Sequence, residues 1–307
     1  MFGPVLALMR ADNLEHAINL ANGTRYGLTS GLHSLDEREH DYWIDHIQAG
    51  NCYINRGITG AIVQRQPFGG CKESNFGRGA KAGGPNFLMQ LMNPEQVSLP
   101  MERESVGSPV NVIGLQLEKK GASTEQMELW NASVESYAYY WKYYFSKKHD
   151  PSRIVGQDNF LMYVPHSLVV LRVDDQDDIL NVLRVIAAAI LCQTPLQVSG
   201  EHEKLQSFSN GDWLKLAGNV EIKEETEIQF IERIKTKEIK RVRLLSPPSL
   251  ELKQVFADAA CNAIVAPVLA NGRVELLHYL REVSLSVNYH RYGNLGAREN
   301  EERAPVL

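Results

Sequence analysis

Cysteine is scarce and scattered: Cys52, Cys71, Cys192 and Cys261 are the only four in 307 residues. No two of them form a C-x-x-C pair, and none stands with histidine at zinc-ligand spacing, which excludes a disulfide framework and a structural zinc site and fits a reducing cytoplasm. Long apolar runs are missing as well, and the N-terminus shows no basic stretch leading into an apolar core and a small-residue cleavage site. The sequence therefore predicts neither a membrane span nor export. A surplus of one charge sign is also absent. Lys and Arg number 32 against 37 Asp and Glu, a formal net charge of -5, so no large cationic surface exists to neutralise phosphates and nucleic acid is excluded as the natural partner. What remains is the composition of a globular protein, 44% hydrophobic and 22% charged, long enough at roughly 100–200 residues per domain for two domains.

The first hundred residues alternate apolar runs with helical patterns. Val5–Leu8 reads as a strand, and Asp12 to Ala21 reads as a helix capped by Asp12, with Glu15 completing a capping box. Leu28 to Ser34 and Asn51 to Asn55 read as strands flanking a helix over Asp36 to Ile47. Entry into α/β chain at residue 4 predicts that the start of this domain is missing. A charged, small-residue stretch from Met101 to Pro109 reads as a linker and places the domain boundary at 107/108.

Past that boundary, Tyr137, Tyr140, Trp141 and Tyr144 recur at helical spacing within Trp130–Phe145, a stripe that signals packing more than a base- or sugar-stacking platform. From residue 160 onward strands and helices alternate: Leu168–Val173, Leu196–Ser199, Arg241–Leu245, Ala263–Ala266 and Val283–Asn288 separated by helical patterns, the last of them Arg273–Arg281. Such alternation predicts a doubly wound parallel sheet of Rossmann type. No G-x-G-x-x-G follows its first strand, so the domain is read as nucleotide-free. Lys240-Arg241-Val242-Arg243 reads as a solvated edge strand, and the polar stretch from Gly293 to Leu307 as a mobile tail unless it docks on a neighbour.

The segment from Asn51 to Phe87 is dense in glycine, at 57, 60, 69, 70, 77, 79, 83 and 84, which suggests tight turns beside a ligand. Phe2-Gly3-Pro4-Val5-Leu6, Tyr26-Gly27-Leu28-Thr29, Gly50-Asn51, Asn55, and Pro67-Phe68-Gly69-Gly70 with Lys72 and Ser74 occur in one order. Together they resemble the C-terminal part of the aldehyde dehydrogenase catalytic domain. Ile58-Thr59-Gly60-Ala61-Ile62-Val63, Gln66-Pro67-Phe68-Gly69-Gly70 and Gly79-Ala80-Lys81-Ala82-Gly83-Gly84-Pro85-Asn86 are similar to the L-glutamate-γ-semialdehyde (1-pyrroline-5-carboxylate) dehydrogenase branch, which includes the C-terminal half of bifunctional proline utilization A proteins. The resemblance covers roughly residues 1–100. The remainder is similar, less specifically, to the Rossmann-like C-terminal domain of longer members. The expected fold is thus α/β, a truncated aldehyde dehydrogenase catalytic domain (1–107, with an oligomerisation strand over Glu95–Met101) followed by a Rossmann-like doubly wound α/β domain (108–307).

That resemblance implies roles for particular residues. Gly60 and Ala61 would offer backbone N–H groups to the α-carboxylate of L-glutamate-γ-semialdehyde, as consecutive amides can. Phe68 would pack on the substrate's aliphatic chain, and Phe2 would lie against the nicotinamide ribose of NAD. The branch's thiol nucleophile, general-base glutamate, oxyanion-stabilising asparagine and NAD-binding fold all lie upstream of the matched segment, so the resemblance implies no catalytic residue on this chain and no turnover by the chain alone. FAD enters only if the parent is the bifunctional type. Partners would be further copies of the chain or its missing N-terminal portion. Asn75 departs from the pattern, standing where F-G-G-x-K-x-S-G has its last glycine. Cys52 and Cys71 read as small buried apolar residues, and His33, His40 and His46 as surface or packing groups. The competing reading is a non-catalytic α/β interaction module that assembles with a full-length dehydrogenase.

Overall fold

The computed structural model describes residues 3–209, 212–290 and 293–303. In chain order its elements begin with α1 (Leu14–Asn22), β1 (Tyr26–Gly27), β2 (Thr29–Leu32), α2 (Glu37–His46), β3 (Asn51–Ile54), β4 (Cys71–Lys72), α3 (Val110–Lys119), α4 (Thr124–Tyr140) and β5 (Gln157–Pro165). There follow β6 (Val169–Arg172), α5 (Ile179–Leu191), β7 (Leu196–Gly200), α6 (His202–Ser209), α7 (Asp212–Leu216), β8 (Val220–Glu224) and α8 (Glu227–Lys235). The chain closes with β9 (Arg241–Leu244), α9 (Leu250–Asp258), β10 (Asn262–Ile264), α10 (Gly272–Glu275) and β11 (Leu280–Asn288).

Two compact units result. One gathers the chain up to Gln90, Lys148–Met162 and the residues from Glu282 onward; the other holds Leu91–Lys147 and Tyr163–Arg281. The single boundary expected at 107/108 does not separate them, because two later stretches of chain belong to the first unit and a polar linker carries no signal of that return.

The first unit is built on a four-stranded sheet of order β2-β3-β11-β5. β3 runs parallel to both β2 and β11, with Asn51 opposite Thr29 on one side and Ser284 on the other. Helix α2 supplies the crossover that a parallel pair requires, and Asp36 caps it by accepting from the Arg38 amide at 2.9 Å. All four β3 residues are buried, the pattern of a strand covered on both faces. At α1 the cap is Asn13, accepting from the His16 amide at 2.8 Å, and not Asp12, whose carboxylate instead meets the His16 ring at 3.2 Å. Val5–Leu8 form no strand. Val5, Leu6 and Leu8 are 66, 81 and 86% exposed, and strand propensity without a ladder partner among the described residues does not make a strand.

The Arg273–Arg281 helix shrinks to the four residues of α10 and a 3₁₀ turn at Leu276–His278, after which β11 begins at Leu280. Nor does β11 join the Rossmann-like sheet; it pairs with β3. Its residues from Val283 to Ser286 are buried, so the strand is covered on both faces and its sequence cannot say which sheet it enters. The tail also departs from expectation through residue 303. Arg298 donates two hydrogen bonds to Asp158, at 2.8 and 3.0 Å, and Arg303 a third at 2.5 Å. Both guanidinium groups sit over the Tyr289 ring, at 3.8 and 5.3 Å. Charge that reads as a solvated tail therefore clamps one buried carboxylate. Asp158→Asn is expected to speed tryptic cleavage after Arg298 and Arg303 about tenfold with the far-UV spectrum unchanged, the scale of one lost charge-assisted bond; mass-resolved limited proteolysis reads it.

The second unit carries a five-stranded, wholly parallel sheet of order β10-β9-β6-β7-β8. Numbered along the chain this is 3-2-1-4-5, the Rossmann-like doubly wound order, as the alternation predicts. Helix α5, from Ile179 to Leu191, is apolar on nearly all sides and buries Val182, Val185 and Ile186 completely. Another core joins Phe230 and Ile234 of α8 to Val242, Leu252 and Phe256. The aromatic stripe packs: Tyr137 and Phe145 are buried, and the Tyr137 hydroxyl donates to the Leu269 carbonyl at 2.6 Å. The basic strand is misplaced as an edge. β9 lies between β10 and β6 with all four residues buried, and Arg243 is paired with Glu275, thirty-two positions away and invisible to local pattern. Glu95–Met101 forms no strand; Val97 and Met101 are 91 and 90% exposed.

Candidate functional site

The glycine-rich segment of the first unit leaves the sheet at the end of β3 and returns to it through a lattice of buried polar groups. Asn51, fully buried, donates from Nδ2 to the Pro67 carbonyl at 3.1 Å and accepts at Oδ1 from the Gly69 amide at 3.1 Å. Lys81, also fully buried, extends the lattice. Its Nζ donates to the carbonyls of Gly50 (2.8 Å) and Gly69 (2.5 Å) and to Asn51 Oδ1 (3.2 Å). The Lys81 amide and the Asn86 side chain both donate to the Glu282 carboxylate, and Ser284 Oγ donates to the Pro67 carbonyl at 2.5 Å. This brings backbone against backbone: a Cβ on Gly50 would lie 2.0 Å from the Gly69 oxygen, so only glycine fits there.

Above the lattice stands an exposed loop. Gly57–Arg65 face solvent, and Gly60 has φ +82°, a left-handed conformation natural to glycine. The Gly60 carbonyl accepts from the Tyr53 hydroxyl at 3.2 Å. The loop's far end is closed by Gln66, which accepts from the Ile62 amide (3.0 Å), bonds back to the Ile62 carbonyl (2.8 Å), and reaches Asn159 (2.6 Å) and Ser286 (3.3 Å) through Nε2. Among the described residues the Gly60 and Ala61 amides donate to nothing, so two successive N–H groups stand open to solvent. Nearby, Arg56 donates to Ser286 Oγ at 2.5 Å and lies over the Tyr53 ring at 5.5 Å. Burial lowers the Arg56 pKa from its ordinary value and raises that of Tyr53. Two successive open amides, reached from the Arg56 guanidinium through the Tyr53 side chain they share as a neighbour, are an environment for a carboxylate.

Phe68 follows directly on the lattice, with its amide and carbonyl both paired to Ala82 at 2.9 Å and its ring half-buried. Phe68 thus rests on the stem formed by Asn51 and Lys81, which holds Pro67 and Gly69 on either side of it, whereas Gly60 is held by Tyr53 and Ile62 by Gln66. Phe2 lies outside the described residues. The sequence reading missed the stem. Lys81 stands in the Gly79–Gly84 motif, and a lysine hemmed by glycines is the signal that would have found it. Asn159, Glu282 and Ser286, distant in sequence, give no such signal.

The thiols do not suit nucleophilic work. Cys52 is 1% exposed within β3, its Sγ 3.8 Å from the Ala49 carbonyl, and Cys71 belongs to the short β4 ladder against Gly27. Burial pushes the Cys192 and Cys261 thiols up to about 12. The carboxyl ends of β6 and β9, where a doubly wound sheet would hold a dinucleotide, do not fit NAD either. Between β6 and α5 the chain runs Asp174-Asp175-Gln176-Asp177-Asp178. Lys204 holds the Asp174 carboxyl below its ordinary range, and Ser246 donates to Asp177 at 2.6 Å. Clustered carboxylates there would repel a pyrophosphate. Among the described residues no group of three His, Cys, Asp or Glu is placed to hold a metal, and no helix is long and apolar enough to cross a membrane.

Comparison with known proteins shows what the first hundred residues are similar to. The aldehyde dehydrogenase family model matches residues 1–97. The 1-pyrroline-5-carboxylate dehydrogenase of Geobacillus sp. (strain WCH70) is 44% identical over 98 residues, covering 32% of this chain and 19% of that protein; that of Bacillus subtilis (strain 168) is 42% identical over the same length and shares. The chain therefore spans about a fifth of the length of these relatives. The structure of proline utilization A from Corynebacterium freiburgense superposes with a TM-score of 0.68 at 33% identity, over 95% of this chain and 26% of that one. Residues 1–97 match the aldehyde dehydrogenase family model and are similar to the C-terminal part of the 1-pyrroline-5-carboxylate dehydrogenases.

Proposed function

We propose that this chain is the C-terminal portion of an NAD-dependent L-glutamate-γ-semialdehyde dehydrogenase of proline catabolism, acting in the cytoplasm, and that it supplies the substrate's carboxylate anchor. The observation that carries this reading is the pair of unpartnered amides at Gly60 and Ala61, in a loop anchored by Tyr53 and Gln66 within sequence 44% identical to such a dehydrogenase. The two N–H groups take the α-carboxylate, Arg56 supplies positive potential beside it, and the Phe68 ring covers the aliphatic chain and excludes water from it. The acidic carboxyl end of the second unit's sheet does not fit a dinucleotide, and in this reading NAD and the reacting nucleophile belong to an upstream portion, with FAD present only in a bifunctional parent. The exposed stretch Glu95–Met101 supplies contacts to a further copy of the chain.

The purified chain mixed with NAD and the semialdehyde is expected to give no rise in reduced-cofactor absorbance; turnover above background would overturn the division of labour. Mixing with the separately produced upstream portion of a relative should restore activity. In that assembly Ala61→Pro, which deletes one N–H, should raise KM about 10–100-fold with little change in kcat, the scale of one charge-assisted hydrogen bond. The second reading, a non-catalytic module that assembles with a full-length dehydrogenase, draws on the exposed Val5, Leu6, Leu8 and Met9. Assembly with the intact enzyme but no complementation of the upstream portion favours it.

A further inference from the structure

The anchor loop is tied to a chain of hydrogen bonds whose direction is fixed at both ends. Arg56 can only donate, so Ser286 Oγ accepts from its Nη1 at 2.5 Å and sends its own proton on, to Asn159 Oδ1 at 2.8 Å. At the other end Asp150, as a carboxylate, can only accept. Ser152 Oγ donates to it at 2.7 Å and therefore receives Asn159 Nδ2 at 3.2 Å. Between a donor-only arginine and an acceptor-only carboxylate the Asn159 amide has one permitted orientation, Oδ1 toward Ser286 and Nδ2 toward Ser152. Asn159, Ser286 and Gln66 are all buried, so no solvent relieves a reversed amide.

That orientation passes to the loop. Gln66 Nε2 donates to Asn159 Oδ1 at 2.6 Å, which turns Gln66 Oε1 to the Ile62 amide at 3.0 Å. The peptide after Ala61 is thereby held by its N–H. The peptide before Ala61 is held by its oxygen, since the Gly60 carbonyl accepts from the Tyr53 hydroxyl at 3.2 Å. This peptide is trans and planar, with N–H opposite C=O, so a Gly60 oxygen turned toward Tyr53 points the Ala61 N–H away from it. We infer that Asn159 and Tyr53 are positioning residues for the carboxylate anchor: Tyr53 directly, and Asn159 through Gln66, fix the peptide planes on either side of Ala61 and so present its N–H to the ligand. Both side chains are buried and act through the loop. The inference rests on the anchor reading and extends it, because Asn159 lies beyond the segment that the family model matches, so the geometry of the anchor depends on chain outside that segment.

Titration of the ¹⁵N-labelled full chain with L-glutamate, the acid that oxidation of the semialdehyde would give, tests it. The Gly60 and Ala61 amide resonances are the readout, taken where every variant is folded, so that a loss of stability alone does not move it. Saturable shifts of both are expected in the unaltered chain. Asn159→Leu, which keeps the volume and removes the acceptor, should weaken the apparent affinity about tenfold, and Asn159→Asp, which keeps an acceptor for Gln66, should recover most of that loss. Tyr53→Phe, which removes only the hydroxyl, should weaken it by a similar factor. Should Asn159→Leu fail to fold, Gln66→Met severs the same link and takes its place. Shifts absent from the unaltered chain overturn the anchor reading and this inference with it. Shifts present there but with affinity unchanged in Asn159→Leu or in Tyr53→Phe leave the anchor standing and overturn the role of that residue, as does equal weakening by Asn159→Leu and Asn159→Asp for Asn159.

Discussion

Replacing Lys81 by methionine is expected to destabilise the first unit by about 3–5 kcal/mol and to free the loop it underlies. The side chain is fully buried and its ammonium ends on Gly50 O, Gly69 O and Asn51 Oδ1. Methionine keeps the length and the apolar stem but removes every donor, so those oxygens lose a buried partner at once. The Gly50 carbonyl keeps the Ser284 amide at 2.9 Å and Asn51 Oδ1 keeps the Gly69 amide, so part of the ladder survives. Urea unfolding followed by a probe in the first unit measures the loss. Hydrogen exchange should localise it, with faster exchange at the Gly69 and Phe68 amides, which the stem holds, and little change at the Gly60 and Ala61 amides, which are already open. Uniform acceleration across residues 57–70 would mean that the loop is not held from its foot.

The contrast between Lys81 and its neighbours shows what the sequence discloses. Turn chemistry is local, so the glycines at 60, 69 and 70 announce the loop, and helix caps such as Asp36 announce themselves within four residues. Alternation of apolar runs with helical patterns likewise discloses a parallel doubly wound sheet, because both halves of that signal are read within a window of some fifteen residues. Long-range charge pairing is different. Asp158 receives arginines 140 and 145 positions away, and Glu282 receives the Lys81 amide from 201 positions away, so neither the tail clamp nor the stem leaves a mark near the residues concerned. Arg243 misleads for the same reason, its partner Glu275 standing thirty-two positions away. A basic residue in a strand reads as solvated when its neutralising partner is out of view, and β11 reads as part of the nearer sheet because burial on both faces does not specify a neighbour.

Arg243 and Glu275 supply the second large effect. Both are fully buried, with Arg243 Nη2 3.4 Å from Glu275 Oε1 and Nη1 donating to the Ala266 carbonyl at 2.5 Å. Glu275 also accepts from the Leu269 amide at 2.9 Å and from the Tyr279 hydroxyl at 3.0 Å. Burial and the Glu275 charge push the Tyr279 hydroxyl well above its ordinary pKa, so the phenol remains a donor at every working pH. Glu275→Leu should therefore cost about 3–5 kcal/mol, most of it the penalty of an arginine left charged among apolar side chains. Removing that arginine too, in the Arg243→Met, Glu275→Leu double variant, should restore much of the loss, because no uncompensated charge remains. Recovery stays incomplete, since the Leu269 amide and the Tyr279 hydroxyl still lack their acceptor, each worth about 1–3 kcal/mol when left unsatisfied. The double-mutant cycle in urea should then give a coupling energy of about 2 kcal/mol or more. Strictly additive losses would mean that the two side chains are held by their separate backbone partners and that their mutual charge contributes nothing to the core of the second unit.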